Sequence, residues 1–225
     1  MKKILTIALL LIAINAQGQG QGLSVPANAT LASLFPDENL RRVVAEVLGP
    51  NAGLVGQRLS DALAGIEELE ASNRGISDAS GIEYLVNLTK LDLRRNKLAN
   101  ININNLIYLV DIILEDNLLT SLNTGSFLNL IFLYVGNNQL INLDISNNIN
   151  LTNLDISNNI SLTNLDISNN ISLTSLDISN NISLTNLDIS NNINLVVIWA
   201  YRSPLSKEGI IGLNDNVQTV IIDSQ

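Results

Sequence analysis

The apolar residues of this chain recur with a period of about eleven residues over most of its length. The pattern Leu-x-x-Leu-x-Ile-x-x-Asn is almost unchanged over residues 151–194, and more varied copies extend back to Ile66. Eleven complete units can be aligned on their first leucine, at steps of 10, 11, 10, 11, 10 and 11 residues and then of 11 throughout. They begin at Leu88, Leu98, Leu109, Leu119, Leu130, Leu140, Leu151, Leu162, Leu173, Leu184 and Leu195.

The first, fourth and sixth positions of the unit predict one buried face. They are apolar in 32 of 33 places, and Thr124 is the exception. Because the fourth and sixth positions flank a single residue, they predict a short strand whose third, fifth and seventh side chains point outward. The asparagine at the ninth position ends the strand, where its amide can satisfy backbone groups of a turn. An isoleucine at the tenth position, such as Ile160, is expected to add a fourth aliphatic side chain to the core.

One unit buries too little apolar surface to offset the ordering of its own backbone, so the units are expected to stack into an array. With two units in each coil, alternate units form opposite walls. One wall takes the units that begin at Leu88, Leu109, Leu130, Leu151, Leu173 and Leu195, and the other takes those at Leu98, Leu119, Leu140, Leu162 and Leu184. The predicted fold is a flattened, mainly β solenoid with parallel strands on one or both walls.

These units resemble leucine-rich repeats, and the alternating step of 10 and 11 resembles the nested bacterial class called IRREKO, in which both halves of a 21-residue coil carry the motif. The resemblance covers about residues 66–200 and departs from the pattern at Arg74, Leu106 and Phe127, which stand in asparagine places. It implies a leucine-rich-repeat solenoid, a fold that serves many different ligands.

Both ends of an array need covers. An acidic start at Asp37 and Glu38, apolar residues through Leu48 and a stop at Gly49-Pro50 predict an amphipathic helix. Together with residues 60–76, this stretch resembles the amino-terminal cap of internalin-type proteins. We expect a linker and helical cap over residues 19–65, the solenoid over 66–200 and a carboxy-terminal cap over 201–225. Within that last cap, residues 205–213 predict a short helix and residues 217–223 a final strand.

The amino terminus has the pattern of a secretory signal peptide. Lys2 and Lys3 precede an apolar run over residues 4–14 that is too short to span a bilayer, and small residues at Ala16 and Gly18 suit cleavage after Gly18. We therefore predict a signal peptide over residues 1–18 and an exported protein that is secreted, periplasmic or at the cell surface. No later hydrophobic stretch reaches spanning length, so no membrane span is expected in the mature chain.

Composition narrows the chemistry further. The chain has no cysteine and no histidine, which removes disulfides, the usual general base and the commonest transition-metal ligand. The formal net charge is −9, and residues 98–201 contain no lysine or arginine, so nucleic acid is not an expected partner. We predict a binding protein that uses no cofactor and is not an enzyme.

The outward positions of the first wall differ from coil to coil, which makes them candidates for a ligand site. Exposed Ile113, Phe132 and Tyr134 lie side by side in the predicted sheet, and aromatic side chains often carry binding energy. An alternative is that these residues pair across strands only to stiffen the sheet. The candidate ligand-binding residues are Lys90, Asp92, Arg94, Asp111, Ile113, Glu115, Phe132, Tyr134 and Trp199.

Aspartates at the fifth position form two ladders, with Asp155 and Asp177 on one wall and Asp144, Asp166 and Asp188 on the other. Their spacing of about 4.8 Å approaches that of retaining glycosidase carboxylates, but a flat solvated wall offers no cleft. Calcium bridging is a second hypothesis, and a soluble surface that resists edge pairing is the usual explanation. The triplets at Asn159, Asn170 and Asn181 match a glycosylation pattern, although the same asparagines are expected inside the turns.

The leading hypothesis is a recognition module, expected to be monomeric, that binds a protein or glycan through outward strand residues and serves in adhesion. A second hypothesis treats the regular block over residues 140–194 as a polar template for ice or a polysaccharide, because threonine recurs at its second position. A third treats that block as a passive spacer that displays the more variable coils before it.

Overall fold

The computed structural model describes residues 23–206, 209–213, 217 and 219–222. The predicted signal peptide lies outside these residues. Three helices begin the described part: α1 (Leu31–Leu34), α2 (Glu38–Leu48) and α3 (Gly56–Ala64), with a 3-10 helix at Gly49–Gly53 between α2 and α3. A second 3-10 helix, Ile82–Tyr84, lies in the first coil. Among the described residues, no helix is long and apolar enough to cross a membrane.

Eight parallel strands form one continuous sheet along the first wall, and six of them belong to the units that the repeat pattern assigns to this wall. Each strand is three or four residues long, and each pairs in register with the equivalent residues one coil away. In spatial order the strands are β1 (Glu68–Glu70), β2 (Lys90–Asp92), β3 (Asp111–Ile113), β4 (Phe132–Tyr134), β6 (Asn153–Asp155), β8 (Ser175–Asp177), β10 (Val197–Ala200) and β12 (Thr219–Ile222).

The opposite wall is strand-like only in its later coils. There β5 (Asn142–Asp144) pairs with β7 (Asn164–Asp166), and β9 (Leu187–Asp188) pairs with β11 (Ile210–Ile211). The strands expected in the units at Leu98 and Leu119 are absent from the described residues, so that part of the prediction is wrong. Leu106 and Phe127 replace the ninth-position asparagine in those two units. These two residues have no side-chain amide, so they cannot donate the hydrogen bonds by which Asn170 and Asn192 join later coils at this edge.

The helix expected over residues 205–213 is also wrong, because β11 occupies part of this range. The N–H of Leu187 donates to the carbonyl of Gly209, and the N–H of Ile189 donates to the carbonyl of Ile211. Pairing with β9 thus satisfies backbone groups that a helix would have satisfied internally. The final strand expected over residues 217–223 is present as β12.

The core consists of the first, fourth and sixth side chains of the units, nearly all of them buried. Thr124 is buried with them at 2% exposure, and its hydroxyl donates to the carbonyl of Asp144 at 2.6 Å. The tenth position is not part of the core, which contradicts the prediction for Ile160. The tenth-position isoleucines are 51–61% exposed, because the turn directs them off the edge of the coil; they are Ile149, Ile160, Ile171, Ile182 and Ile193.

The two edges of the solenoid turn differently although their sequences are nearly the same. All seven non-glycine residues with positive φ in the described part stand at the eighth position of a first-wall unit. Asn158 has φ 56° in the segment Asp-Ile-Ser-Asn-Asn-Ile, whereas Asn147 in the identical segment one unit earlier does not adopt positive φ. The seven are Asn73, Arg95, Asp116, Asn137, Asn158, Asn180 and Arg202.

Buried asparagines join each coil to the one before it. In the first-wall units, the amide of Asn159 donates to the carbonyls of Val135 and Ile156, and its Oδ1 accepts from the N–H of Leu140. At the other edge, the amide of Asn170 donates to the carbonyls of Ile145 and Asn148. The asparagines therefore hold the stack together from inside, as their place at the strand ends predicts.

The amino-terminal helix α2 is tied to the first coil by Asp37. One carboxylate oxygen accepts from the N–H groups of Asn39 and Leu40 at the start of the helix, and the other accepts from the N–H groups of Ser77 and Asp78. Burial acts to raise the pKa of Asp37, but these backbone donors outweigh it and lower the pKa overall. The helix is amphipathic as predicted, except that Val47 is exposed.

Candidate functional site

The outer face of the eight-stranded sheet collects the third, fifth and seventh side chains of the first-wall units. The strand register places Asp111 of β3 beside Phe132 of β4, and Ile113 beside Tyr134. These four of the candidate residues are therefore neighbours on one surface. We call Ile113, Phe132 and Tyr134 the aromatic patch.

The three side chains of the aromatic patch are half-buried on the open face of the sheet. The rings of Phe132 and Tyr134 are parallel within 4°, and their centroids are 6.5 Å apart. Because Ile113 lies opposite Tyr134 on the neighbouring strand, the three form one apolar surface. Such a surface, bordered by polar groups, has the composition of the centre of a protein interface.

Upstream of the patch, the candidate residues of β2 are already engaged in ion pairs. Lys90 Nζ lies 2.8 Å from Glu70 Oε1, and Arg94 Nη2 lies 2.8 Å from Asp92 Oδ2. The hydrogen bond and charge of Glu70 raise the pKa of Lys90. Asp92, which the sequence predicts to face outward, is only 4% exposed, and its carboxylate also accepts from the N–H of Arg94.

The carboxylates of Asp111, in β3, and of Glu115, just after it, are partly buried. Burial raises the pKa of Asp111, whose Oδ1 is buried and accepts no hydrogen bond from any described residue. Burial also raises the pKa of Glu115. Next to them, burial raises the pKa of the Tyr134 hydroxyl, and the nearby negative charges add to the effect. The site therefore keeps negative charge beside apolar side chains.

Asp155 is a member of this site that the sequence analysis placed only in an aspartate ladder. The register puts it beside Tyr134 on the adjoining strand β6. A side chain at Gly136 would approach Asp155 Oδ1 to 3.1 Å, so the glycine leaves room for the carboxylate. Burial raises the pKa of Asp155, and the charge of Asp177 on the next strand adds to this shift. The unit alignment predicts that Asp155 lies next to the patch, but it does not predict that the carboxylate is partly buried.

Trp199 lies on β10, three strands beyond β4 in the sheet and away from the patch. It is half-buried, and its strand β10 pairs with β8 on one side and with β12 on the other. The carbonyl of Trp199 accepts from the N–H of Ile178. The structure thus separates Trp199 from the other candidate residues, at the end of the sheet where the last strand adds.

The partial burial of the Asp111 carboxylate predicts that the stability of the fold depends on pH at this residue. Because the folded-state pKa is raised above the ordinary 3.8, its contribution to stability is present below that pH and is lost as pH rises through the folded-state pKa. Replacing Asp111 with Asn should therefore raise the melting temperature at pH 7, and the gain should shrink towards zero as the pH falls below 3.8. Thermal melts by circular dichroism at several pH values measure both effects.

Asp144 on the opposite wall is the matched control for this prediction. Its hydrogen bonds from the side chain and backbone of Ser146 lower its pKa, so Asp144→Asn should lower the melting temperature at pH 7 or leave it unchanged. A melting temperature that falls in the Asp111→Asn variant at pH 7 would contradict the prediction.

The other candidate chemistries receive no support from the geometry. Among the described residues, no group of three or more acidic side chains could hold a metal ion. The fifth-position aspartates instead accept hydrogen bonds from the following serine, as Asp177 does from the N–H of Ser179. The threonine hydroxyls of the regular block are also engaged, since Thr174 donates to the carbonyl of Thr152 one coil earlier. The asparagines of the glycosylation-like triplets are fully buried in the turns; they are Asn159, Asn170 and Asn181.

Comparison with known proteins agrees with this architecture. No family model and no curated protein matches the chain. Among solved structures, an internalin (inlF) from Listeria monocytogenes is 22% identical over 87% of this chain, with a TM-score of 0.70. An internalin C2 (inlC2) from the same organism is 21% identical over 89% of this chain and 100% of its own, with a TM-score of 0.63. The chain spans 58% of the solved inlF chain.

A third structure comes from a plant. The leucine-rich-repeat ectodomain of the membrane receptor kinase GASSHO1/SCHENGEN3 from Arabidopsis thaliana is 21% identical over 66% of this chain and 19% of its own, with a TM-score of 0.52. These likenesses concern the fold, and they define the class: the protein is a leucine-rich-repeat solenoid. Within that class, its helical cap and parallel-strand coils give it the internalin-like form that the resemblance of the amino-terminal cap implies.

Proposed function

We propose that this chain is an exported recognition module that binds a protein or glycan partner on the outer face of the eight-stranded sheet. The observation that carries the proposal is the aromatic patch, in which register brings three apolar side chains from β3 and β4 together on an open face. The partner's contacts would centre on this patch, and the polar residues of β2 and β6 would border it. Adhesion is one use of such a surface.

The plant receptor supports the choice of a binding role, because its leucine-rich-repeat ectodomain was solved in complex with CASPARIAN STRIP INTEGRITY FACTOR 2. Binding is proposed here in preference to catalysis. The carboxylates of the face lie on a strand surface and not in a cleft, and the sequence offers neither histidine nor cysteine to act on a substrate. Export is proposed from the signal-peptide pattern of residues 1–18.

The test is binding by a variant that lacks the patch. Partners should first be captured by the chain from residue 19 onward, and the affinity of each should then be measured for the wild type and for the triple variant Ile113→Ser, Phe132→Ser, Tyr134→Ser. We expect the triple variant to bind at least about tenfold more weakly, since buried aromatic anchors carry much of an interface's energy.

A matched control removes the same number of exposed apolar side chains from the edge of the coils. The variant Ile149→Ser, Ile171→Ser, Ile193→Ser changes residues that are 51–59% exposed and lie outside the sheet face. It should bind as the wild type does. Unchanged affinity of the patch variant for a proven partner would exclude this surface as the binding site.

A further inference from the structure

The aromatic patch is bordered by carboxylates that take part in none of the ion pairs of the described residues. Asp111 and Glu115 lie at alternate positions on either side of Ile113, and Asp155 lies in register beside Tyr134. The five ion pairs of the described residues include none of these three carboxylates. Lys90 lies in register beside Asp111, but burial keeps the pKa of Asp111 raised although the charges of Lys90 and Arg94 lower it. Carboxylates without an ion-pair partner therefore border an apolar centre.

The cations on the neighbouring strand β2 and at its end form ion pairs with other carboxylates. Lys90 pairs with Glu70 and Arg94 pairs with Asp92, so each of these two cations has a carboxylate of its own. Residues 98–201, which contain the patch, carry no lysine or arginine at all. A cation in direct ion pairs with the carboxylates of the patch would therefore come from another molecule.

The three carboxylates are partly desolvated by burial. Oδ1 of Asp111 is buried without a hydrogen-bond donor among the described residues. Burial raises the pKa of Asp111, Glu115 and Asp155, which means that the ionised form of each is disfavoured where it stands. A cation placed against them would offset this desolvation, so the site favours a positively charged ligand over a neutral or negative one.

The rings add a second attraction for the same kind of group. The faces of aromatic rings attract cations, and the planar guanidinium of arginine also stacks on them. Phe132 and Tyr134 stand parallel, with centroids 6.5 Å apart, between the carboxylates of β3 and that of β6. Charge and stacking therefore select the same ligand chemistry at one place.

We infer that the partner bound by this face is a protein that presents a basic segment, with arginine or lysine side chains over Phe132 and Tyr134 and in ion pairs with Asp111, Glu115 and Asp155. This inference rests on the proposed function, and it narrows the partner from a protein or glycan to a cationic polypeptide. Anionic glycans would be repelled by the same carboxylates.

The probe for this inference is a synthetic ten-residue peptide of alternating arginine and serine, with a glutamate-for-arginine peptide as its negative counterpart. Isothermal titration of the mature chain should show binding of the arginine peptide, weakened at higher salt because exposed charges are screened. The variant Asp111→Asn, Glu115→Gln, Asp155→Asn keeps the shape of the three side chains and should bind at least about tenfold more weakly.

The matched control neutralises the same number of carboxylates on the opposite wall: Asp144→Asn, Asp166→Asn, Asp188→Asn. It should bind the arginine peptide within about twofold of the wild type. Equal loss in the two variants would show that binding follows net charge and not the site, and would overturn the inference, as would failure of the wild type to bind. A captured partner that needs the aromatic patch but binds the Asp111, Glu115 and Asp155 variant normally would overturn the inference and leave the proposed function standing.

Discussion

Removing a single unit, residues 151–161, is expected to unfold the carboxy-terminal end of the solenoid, whereas removing two units, residues 151–172, is expected to leave it folded. The physical reason is that successive units occupy opposite walls. A deletion of two units brings β8 next to β4, and Asp177 then takes the place of Asp155 beside Tyr134. A deletion of one unit moves every later unit to the wrong wall.

The regular units can exchange walls because their sequences are nearly identical, but the last unit cannot. Its segment Val197–Ala200 pairs with β8 and β12 in the large sheet, and its eighth residue, Arg202, has the positive φ that the eighth residues of the other first-wall units share. At the ninth and tenth positions Ser203 and Pro204 replace the asparagine and isoleucine of the regular units.

Thermal melts and circular dichroism of the two deletion variants test this expectation. The one-unit variant should melt at least about 10 °C below the two-unit variant, which corresponds to a loss of about 3 kcal/mol or more in a domain of this size. The two-unit variant also tests the spacer hypothesis, which requires that partner binding survive the deletion. Equal melting temperatures for the two variants would show that the walls are interchangeable over the whole chain.

Replacing Asn138 with Ala is expected to cost about 2–4 kcal/mol of the free energy of unfolding, because a buried amide is lost from the inside of the turn. The amide nitrogen donates to the carbonyls of Leu114, Val135 and Gly136 at 3.0–3.2 Å, and Oδ1 accepts from the N–H of Leu119 at 2.9 Å. Leu114 and Val135 keep a second asparagine as donor, but no other acceptor is seen for the N–H of Leu119.

Asn147 is the matched control for Asn138. It is the same residue type in the next unit, but it is exposed on the other edge. Asn147→Ala should change the free energy of unfolding by no more than about 0.5 kcal/mol. Urea denaturation followed by circular dichroism compares the two variants. If Asn138→Ala changed the free energy of unfolding as little as Asn147→Ala, the buried asparagines would not be what holds the coils together.

The fold was largely readable from the sequence because its determinants repeat. A single rule for the first, fourth and sixth positions correctly predicts the six central strands of the large sheet, β2, β3, β4, β6, β8 and β10, because many units repeat the same pattern. The errors fall where the rule ends. At the tenth position, Ile160 is apolar and yet exposed, because the path of the turn and not the hydropathy decides where that side chain points.

The edges show why pattern alone has a limit. The segment Asp-Ile-Ser-Asn-Asn-Ile adopts one turn around Asn158 and another around Asn147, so no local sequence rule can distinguish them. Only the position of a unit within the whole array decides. At the candidate site, alignment correctly placed Ile113 beside Tyr134, but spacing revealed neither the ion pair of Asp92 with Arg94 nor the burial of Asp92.

The aspartate at the fifth position has a consequence for how such a protein can grow. Within each regular unit it closes the end of its strand by accepting the N–H of the serine two residues later, as Asp155, Asp166 and Asp188 do. The acidity of the surface is thus a by-product of ending each strand. A chain lengthened by duplicating coils gains two negative charges with every full turn, so its molecules repel one another more strongly the longer they become.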